Sequence, residues 1–428
     1  MSFKFLFLRV LTLCFIGLLS FNQLLAQFKL SGELRPRTEL RNGYKTLFSE
    51  EDKAAFFTSQ RTRLNVSYNF EKLKFALSLQ DVRVWGDVTQ MNNTDNQLML
   101  HQAWAEYLFT KEFSMKIGRQ QLIYDDARIF GNVDWLQQAR SHDLVILKFE
   151  KNFKLHIGLA YNQEAEKVKG TDYNITGNYK NMQFVWFNKK TKSFGVSLLF
   201  LNNGLQHKSA DAVPVYKTAF NQTYGTRLTF DKSKISMYGA TYYTTGEDIN
   251  LRNLSAFYSS LGASLKISDQ WNTNIGWELL SGTSQEEVSH NVNYTNNSFN
   301  PFYGTNHKFN GYMDYFYVGN HLNSVGLNDL FAGISFKKKK FSADFTPHFF
   351  SVANDVLNPH VAGEIMPNYL GTEIDLTFGY KLADYALISG GYSQMFGTET
   401  LKALKGGDNN TTNNWAWIMF SFTPEFIK

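Results

Sequence analysis

The sequence predicts an all-β fold, a transmembrane up-and-down antiparallel β-barrel of about 18 strands that follows a cleaved signal peptide. Three observations predict it: the composition, a period-two hydrophobic pattern, and an alternation of short and long connectors. Charged residues make up only 19% of the chain and aromatic residues 16%. This composition is too aromatic for a disordered chain, and a single Cys excludes a disulfide scaffold.

The N-terminus has the organisation of a secretory signal peptide. Lys4 and Arg9 supply its positive charge, Val10–Leu19 its apolar core, and a small residue ends it. We therefore expect residues 1–26 to be removed and residues 27–428 to form a single outer-membrane β-barrel domain. The only Cys lies inside the signal, so the mature chain is expected to contain no disulfide.

The dominant pattern along the rest of the chain is strict alternation of apolar and polar residues. Residues 73–79, 153–161, 341–349 and 370–380 show it clearly. Successive strand residues point to opposite faces, so each segment has one apolar and one polar face. The segments span about 9–13 residues, the length that a tilted strand needs to cross a bilayer. Closing such a sheet into a barrel pairs every backbone polar group in hydrocarbon.

Connector lengths alternate between short and long from the first strand onward. Segments 70–72, 110–112 and 337–340 are short, whereas 124–141 and 282–324 are long. Outer-membrane barrels combine tight periplasmic turns with long outer loops. The pattern therefore predicts a Gram-negative outer-membrane protein embedded in lipid, with both termini in the periplasm.

Net charge and proline positions add two smaller expectations. The net charge is only +5, and the single basic run, Lys337–Lys340, falls in a predicted turn, so we expect no nucleic-acid partner. Pro36 and Pro347 interrupt predicted strands and each removes a ladder donor. A bulge or a strand end is expected at both prolines.

The polar face of each strand should line the lumen, and it carries several arginines. Arg35 and Arg37 share a face of the first strand, Arg61 and Arg63 a face of the second, and Arg227 lies on the polar face of a later strand. Rings of arginine can select anions in a pore. A second interpretation stays open: the arginines could pair with neighbouring glutamates, such as Glu33 and Glu39, and only brace the barrel.

Several short motifs resemble those of the alginate-export family of outer-membrane proteins. They are I-G-R-Q at 117–120, Y-D-D-A-R-I-F-G at 124–131, D-W at 134–135 and S-H-D at 141–143, with further blocks at 60–64 and 80–87. The resemblance covers about residues 30–145. The chain departs from the family pattern at Asp125-Asp126, where a Gly usually precedes the acidic residue.

The resemblance implies an eighteen-stranded barrel whose arginine-lined constriction passes a polyuronate or a similar anionic polysaccharide or oligosaccharide. By motif it assigns the substrate pathway to Arg61, Arg63, Arg83, Arg119, Arg128 and Arg140. Arg83 is also expected inside because an arginine at mid-bilayer costs about 2–4 kcal/mol. Periplasmic export or assembly partners are a further expectation.

Two other channel or binding functions stay open, and an enzyme is not expected. The chain could be a general diffusion porin, or a barrel adhesin whose working part is the long connector 282–324. The nine histidines are scattered, and His142-Asp143 are neighbours whose side chains should point to opposite faces of a strand. No catalytic, metal-binding or cofactor motif is present.

Overall fold

The structure is a computed structural model that describes residues 28–427, except 93, 96, 318–320 and 322–323. The predicted signal peptide, residues 1–26, lies outside the described residues. In the described part of the chain, no helix is long and apolar enough to cross a membrane.

One closed antiparallel sheet forms a barrel, and each strand pairs with its neighbours in chain order. The last two segments of the sheet, Asn413–Phe422 and Glu425–Ile427, are separated by Thr423-Pro424, and both pair with the first strand, Phe28–Asn42. They therefore act as one interrupted strand, and the barrel has eighteen strands. The predicted fold class is confirmed. The strands are β1 Phe28–Asn42, β2 Ala55–Phe70, β3 Leu73–Val84, β4 Leu98–Leu108, β5 Phe113–Gln120, β6 His142–Glu150, β7 Lys154–Tyr161, β8 Asn181–Lys190, β9 Phe194–Lys208, β10 Tyr216–Lys232, β11 Ile235–Glu247, β12 Asn253–Lys266, β13 Trp271–Leu280, β14 Leu327–Lys338, β15 Phe341–Ser351, β16 Tyr369–Ala383, β17 Ala386–Gly397, β18 Asn413–Phe422 and β19 Glu425–Ile427.

Helices occur only in the long connectors of the described chain. They are α1 Gln285–His290, α2 Glu399–Lys405 and a short 3-10 helix at Asn306–Lys308. All short turns lie at one end of the barrel, which is the periplasmic end by the rule that turns there are tight. The strands β9 and β10 extend further than expected, which reduces their connector to residues 209–215.

The two faces of each strand differ as the alternation predicted. On β2, the outward-facing Leu64 is 43% exposed, whereas Arg61 and Arg63 on the opposite face are 1% and 8% exposed. Exposed outward residues such as Phe75 and Phe349 continue the apolar surface around the barrel. A barrel with an apolar exterior buries that surface in lipid.

Both strand prolines were expected to mark a bulge or a strand end, and that expectation is wrong. Pro36 pairs with Gln60, and Pro347 pairs with Ile374, without a shift of register on that side. On the other side the register also continues, but the pair of each proline and one adjacent pair are missing. Each proline therefore interrupts the ladder of backbone pairs on one side of its strand and leaves the ladder on the other side intact.

Two long connectors, which we call loop A (residues 121–141) and loop B (residues 281–326), fold into the barrel. In loop A, Phe130 is buried against Phe184 of β8, with ring centroids 4.9 Å apart. In loop B, Phe316 packs on Phe350 of β15 at 4.6 Å. The loops also pair with each other, since the Gly131 amide donates to the Tyr303 carbonyl at 2.8 Å. Together they form one layer across the lumen.

Candidate functional site: the loop-filled lumen

Four arginines of β1 and β2 form a cluster on the inner wall. Their alternate positions place Arg35, Arg37, Arg61 and Arg63 on the inward face, as the sequence predicted. All four are buried. Loop A covers them, so they lie beneath a loop and do not line open water.

Asp134 of loop A sits at the centre of this arginine cluster. Its carboxylate lies 3.1 Å from an Arg35 nitrogen, 2.9 Å from an Arg61 nitrogen and 3.7 Å from an Arg63 nitrogen. Burial alone would raise the pKa of Asp134, but Arg61 and Arg35 outweigh it and hold the pKa below its ordinary value. Glu33 completes the cluster at 2.6 Å from Arg61. The cluster thus has its own carboxylates, as the bracing interpretation requires.

Two further residues of loop A, Trp135 and Gln137, attach the loop to β1 and β2. Gln137 accepts hydrogen bonds from Arg35 at 3.0 and 3.2 Å and donates to the Ser59 hydroxyl at 3.0 Å. The Arg37 guanidinium stacks 3.8 Å above the Trp135 ring and donates to its carbonyl at 2.6 Å. Loop A is therefore fixed to β1 and β2 by charge, amide and aromatic contacts together.

The remaining inward arginines hold loops A and B together and to the wall. Arg128 of loop A is buried 3.3 Å from Glu278 of β13, and Arg140 donates to the Gly304 carbonyl of loop B at 3.2 Å. Arg227 of β10 pairs with Asp126 at 2.5 Å. Burial opposes the charged form of Arg128, yet the Glu278 charge raises its pKa above the ordinary value. Each of these arginines serves as a structural tie.

The expected lumenal placement is wrong for Arg83 and Arg119. On β3, Arg83 pairs across the ladder with Gln60, on the face opposite to Arg61, and it binds Asp81 and Asp95. Arg119 lies opposite Asp143 and pairs with it at 2.7 Å on the exposed outer surface. Both arginines sit near the long-loop end of their strands. Charge can face outward there because that rim rises above the hydrocarbon.

A cluster of buried acids on β13–β16 was not singled out from the sequence. Glu278, Asp329, Glu373 and Asp375 face inward and are at most 3% exposed. Their partners come largely from loop B: Asn310 donates to Glu278 and Asp329, and the Met313 amide donates to Glu373 at 2.7 Å. His348 bonds Asp329 at 2.9 Å. The alternation on each strand could have shown that these acids face inward. Their partners in loop B could not be identified from the local sequence.

Empty space remains on both sides of the loop layer. Toward the periplasm, a cavity of about 380 Å³ is lined by small polar residues of β1–β4, including Ser31, Asn65 and Gln102. A second, of about 250 Å³, lies beside Arg227 and Tyr238. On the outer side, a cavity of about 500 Å³ lies between α1 and α2. The loop layer is therefore the narrow part of a polar lumen.

The neighbouring residues His142 and Asp143 of β6 lie on opposite faces of the strand. His142 points inward to the Tyr179 hydroxyl, whereas Asp143 points outward to Arg119, as expected for neighbours on a strand. Among the described residues, no group of three or more His, Cys, Asp or Glu side chains is placed to hold a metal ion.

Comparisons with known proteins support the fold. No family model matches the chain, and no curated protein sequence matches it. The structure is similar to OpdQ of Pseudomonas aeruginosa, with a TM-score of 0.60 and 12% identity over 93% of this chain and 98% of that one. The outer membrane protein OprD from Pseudomonas aeruginosa matches with a TM-score of 0.60 and 11% identity, covering 94% of each chain. OccAB4 of Acinetobacter baumannii gives 0.60 and 11%, over 94% of this chain and 98% of that one.

These findings overturn the resemblance to the alginate-export family. The matched structures are OprD and Occ proteins, and an anionic polysaccharide partner has no support from them. The motif residues instead meet needs of barrel geometry: Gly118 adopts a φ of 118°, and its neighbour Arg119 forms a cross-strand pair. The closed eighteen-stranded barrel with its apolar exterior places the chain in the Gram-negative outer membrane.

Proposed function

We propose that the protein is a passive outer-membrane channel for small water-soluble solutes, with loops A and B forming its constriction. The observation that carries the proposal is a polar lumen, enclosed by an apolar exterior and narrowed by two in-folded loops. This is the general-porin alternative raised by the sequence. It needs no catalytic group and no bound cofactor.

In the proposed channel, the arginine cluster acts by holding loop A in the lumen. Asp134 and Glu33 already occupy the guanidinium groups that a solute carboxylate would need. A solute therefore reaches Arg35, Arg61 or Arg63 only after loop A moves away. In this proposal the four wall arginines set how firmly the constriction is held, and Arg128, Arg140 and Arg227 hold its far side.

An adhesin function is less favoured by the position of loop B. Met313 and Tyr315 are fully buried in the lumen, and the Tyr315 hydroxyl donates to the Gly43 carbonyl. A binding loop would display such residues to a partner. Among the described residues of this loop, α1 has no buried side chain and lies at the surface.

The test is conductance of the refolded mature chain in planar bilayers, with liposome swelling in neutral solutes of increasing size. We expect stable unit conductance and a sharp size limit. Deleting residues 124–140 should widen the constriction and raise both the conductance and the size limit. A folded, membrane-inserted protein that passes neither ions nor solutes would contradict the proposal.

A further inference from the structure

The basic run Lys337–Lys340 is not spread over an open turn but surrounds a cavity at the periplasmic end of the barrel. Strand β14 ends with this run, and the next neighbouring turn adds Lys381 of β16. A cavity of about 400 Å³ is lined by Lys337, Lys339, Lys340 and Lys381. Four lysines from two neighbouring strand ends and their turns therefore line one space.

The negative charge in this cavity is small. Asp384 is the carboxylate in its lining, and it pairs with Lys381 at 2.8 Å. Lys340 donates to the Leu382 carbonyl at 3.0 Å. Among the described residues, neither Lys337 nor Lys339 forms an ion pair. The cavity therefore carries a net positive charge that the chain itself does not balance.

The lining also supplies neutral hydrogen-bond donors. Ser342, Ser421 and Thr423, which carry hydroxyl groups, line the same cavity. Gly379 keeps its floor open, because a Cβ there would lie 2.9 Å from the Ser342 hydroxyl. A cavity lined by residues with ammonium and hydroxyl donors suits a ligand with several acceptor oxygens.

We propose that this lysine pocket binds a phosphate group. A phosphate monoester carries between one and two negative charges and three acceptor oxygens, and the phosphodiester of a lipid headgroup carries one charge and two such oxygens. Several point-like ammonium groups can approach either from different directions. A carboxylate, in contrast, is recognised best by the planar fork of arginine, and the pocket has none. The volume exceeds that of a bare phosphate and leaves room for the group that bears it.

Two sources of phosphate can reach this position. One is a free or solute-borne phosphate in the periplasm. The other is the headgroup of a phospholipid in the inner leaflet, because the outward-facing aromatic residues Phe341 and Tyr380 lie next to the pocket on the lipid side. Aromatic residues mark the membrane interface, where headgroup phosphates lie.

The experiment uses the full mature chain in detergent with two probes. Binding of inorganic phosphate is measured by ³¹P line broadening, and bound phosphatidylglycerol or phosphatidylcholine is counted by native mass spectrometry. The test variant is K337Q/K339Q/K340Q. The matched control, K189Q/K192Q/K234Q, removes the same charge from the β8–β9 and β10–β11 turns. Heat-modifiable gel mobility reports folding, and the single substitution K337Q serves if the triple variant does not fold.

We expect the wild-type protein and the control to bind phosphate, and the test variant to lose affinity about tenfold or more. Binding of inorganic phosphate without a preference for phosphatidylglycerol would identify a soluble source. Enrichment of phosphatidylglycerol would identify the headgroup. Binding of neither probe, or an equal loss of affinity in the test and control variants, would overturn the proposal that the pocket binds phosphate. None of these readouts requires conduction, so they are independent of the channel proposal.

Discussion

Replacing Asp134 with Asn should release loop A from the inner wall. The substitution keeps the size of the side chain and removes the charge that Arg35, Arg61 and Arg63 share. Those arginines are 2–8% exposed, whereas the Asp134 side chain is 47% exposed. The loss should therefore lie between that of an exposed pair, about 0–1 kcal/mol, and that of a buried pair, about 3–5 kcal/mol.

A loss of about 2 kcal/mol changes the ratio of released to docked loop by about 30-fold, since each 1.4 kcal/mol is a factor of ten. The assay is single-channel recording, in which release of the loop should appear as longer residence in a high-conductance level. Asp143→Asn is the matched control, because it breaks the Arg119 pair on the outer surface and leaves the lumen unchanged. Equal records for wild-type protein, control and D134N, all folded, would refute the docking role of Asp134.

Acid should mimic this substitution in the wild-type protein. The pKa of Asp134 in the folded state lies below its ordinary value of 3.8, so its stabilising contribution is present above that value and is lost as the pH falls through the folded pKa. The high-conductance level should therefore become more frequent below about pH 4. D134N lacks the group and should show a smaller acid response, which separates Asp134 from other carboxylates.

Three further predictions concern the layer and the barrel. Arg128→Met leaves Glu278 buried without its cation and should destabilise the fold by about 3–5 kcal/mol, measured by the temperature of the heat-modifiable gel shift; an unchanged temperature would contradict the pairing. Gly282→Ala places a Cβ 1.9 Å from the Val325 carbonyl carbon, so the base of loop B should open, and protease cleavage within the loop should increase. Leu64→Arg puts a charge on the lipid face and should cost about 2–4 kcal/mol in urea-dependent folding into vesicles, whereas Asn65→Arg on the inward face should cost clearly less.

The barrel was predictable from sequence because its determinants are local. Alternation depends on neighbouring residues, and connector length depends on the spacing of strands, so strand number and facing followed for most of the chain. The cost of charge in lipid misplaced Arg83, and the motif resemblance misplaced Arg119, because both arginines lie near the long-loop end of their strands. Near the long-loop end an outward arginine meets water and an acid such as Asp143.

The loop layer was not predictable in the same way, because its contacts join distant residues. Arg35 and Asp134 are 99 residues apart in sequence, and the Asn310 amide reaches Asp329 and Glu278 across β14 and β13. Connector length identified 124–141 and 282–324 as long loops, but it did not indicate that loop A would fold inward. A single sequence contains no signal that pairs an inward arginine with one particular distant carboxylate.

The use of charge to hold these loops follows from their position. A loop inside a polar lumen finds no large apolar surface on the wall of β1 and β2, so hydrophobic burial cannot fix its register there. Ion pairs can fix the register of the loop, because the planar guanidinium of Arg61 binds a carboxylate in only a narrow range of positions. On β8 and β15, the inward-facing Phe184 and Phe350 add aromatic packing to the contacts that hold the loops. The ion pairs are thus the contacts of the constriction that salt and pH can loosen, while the aromatic contacts should persist under the same conditions.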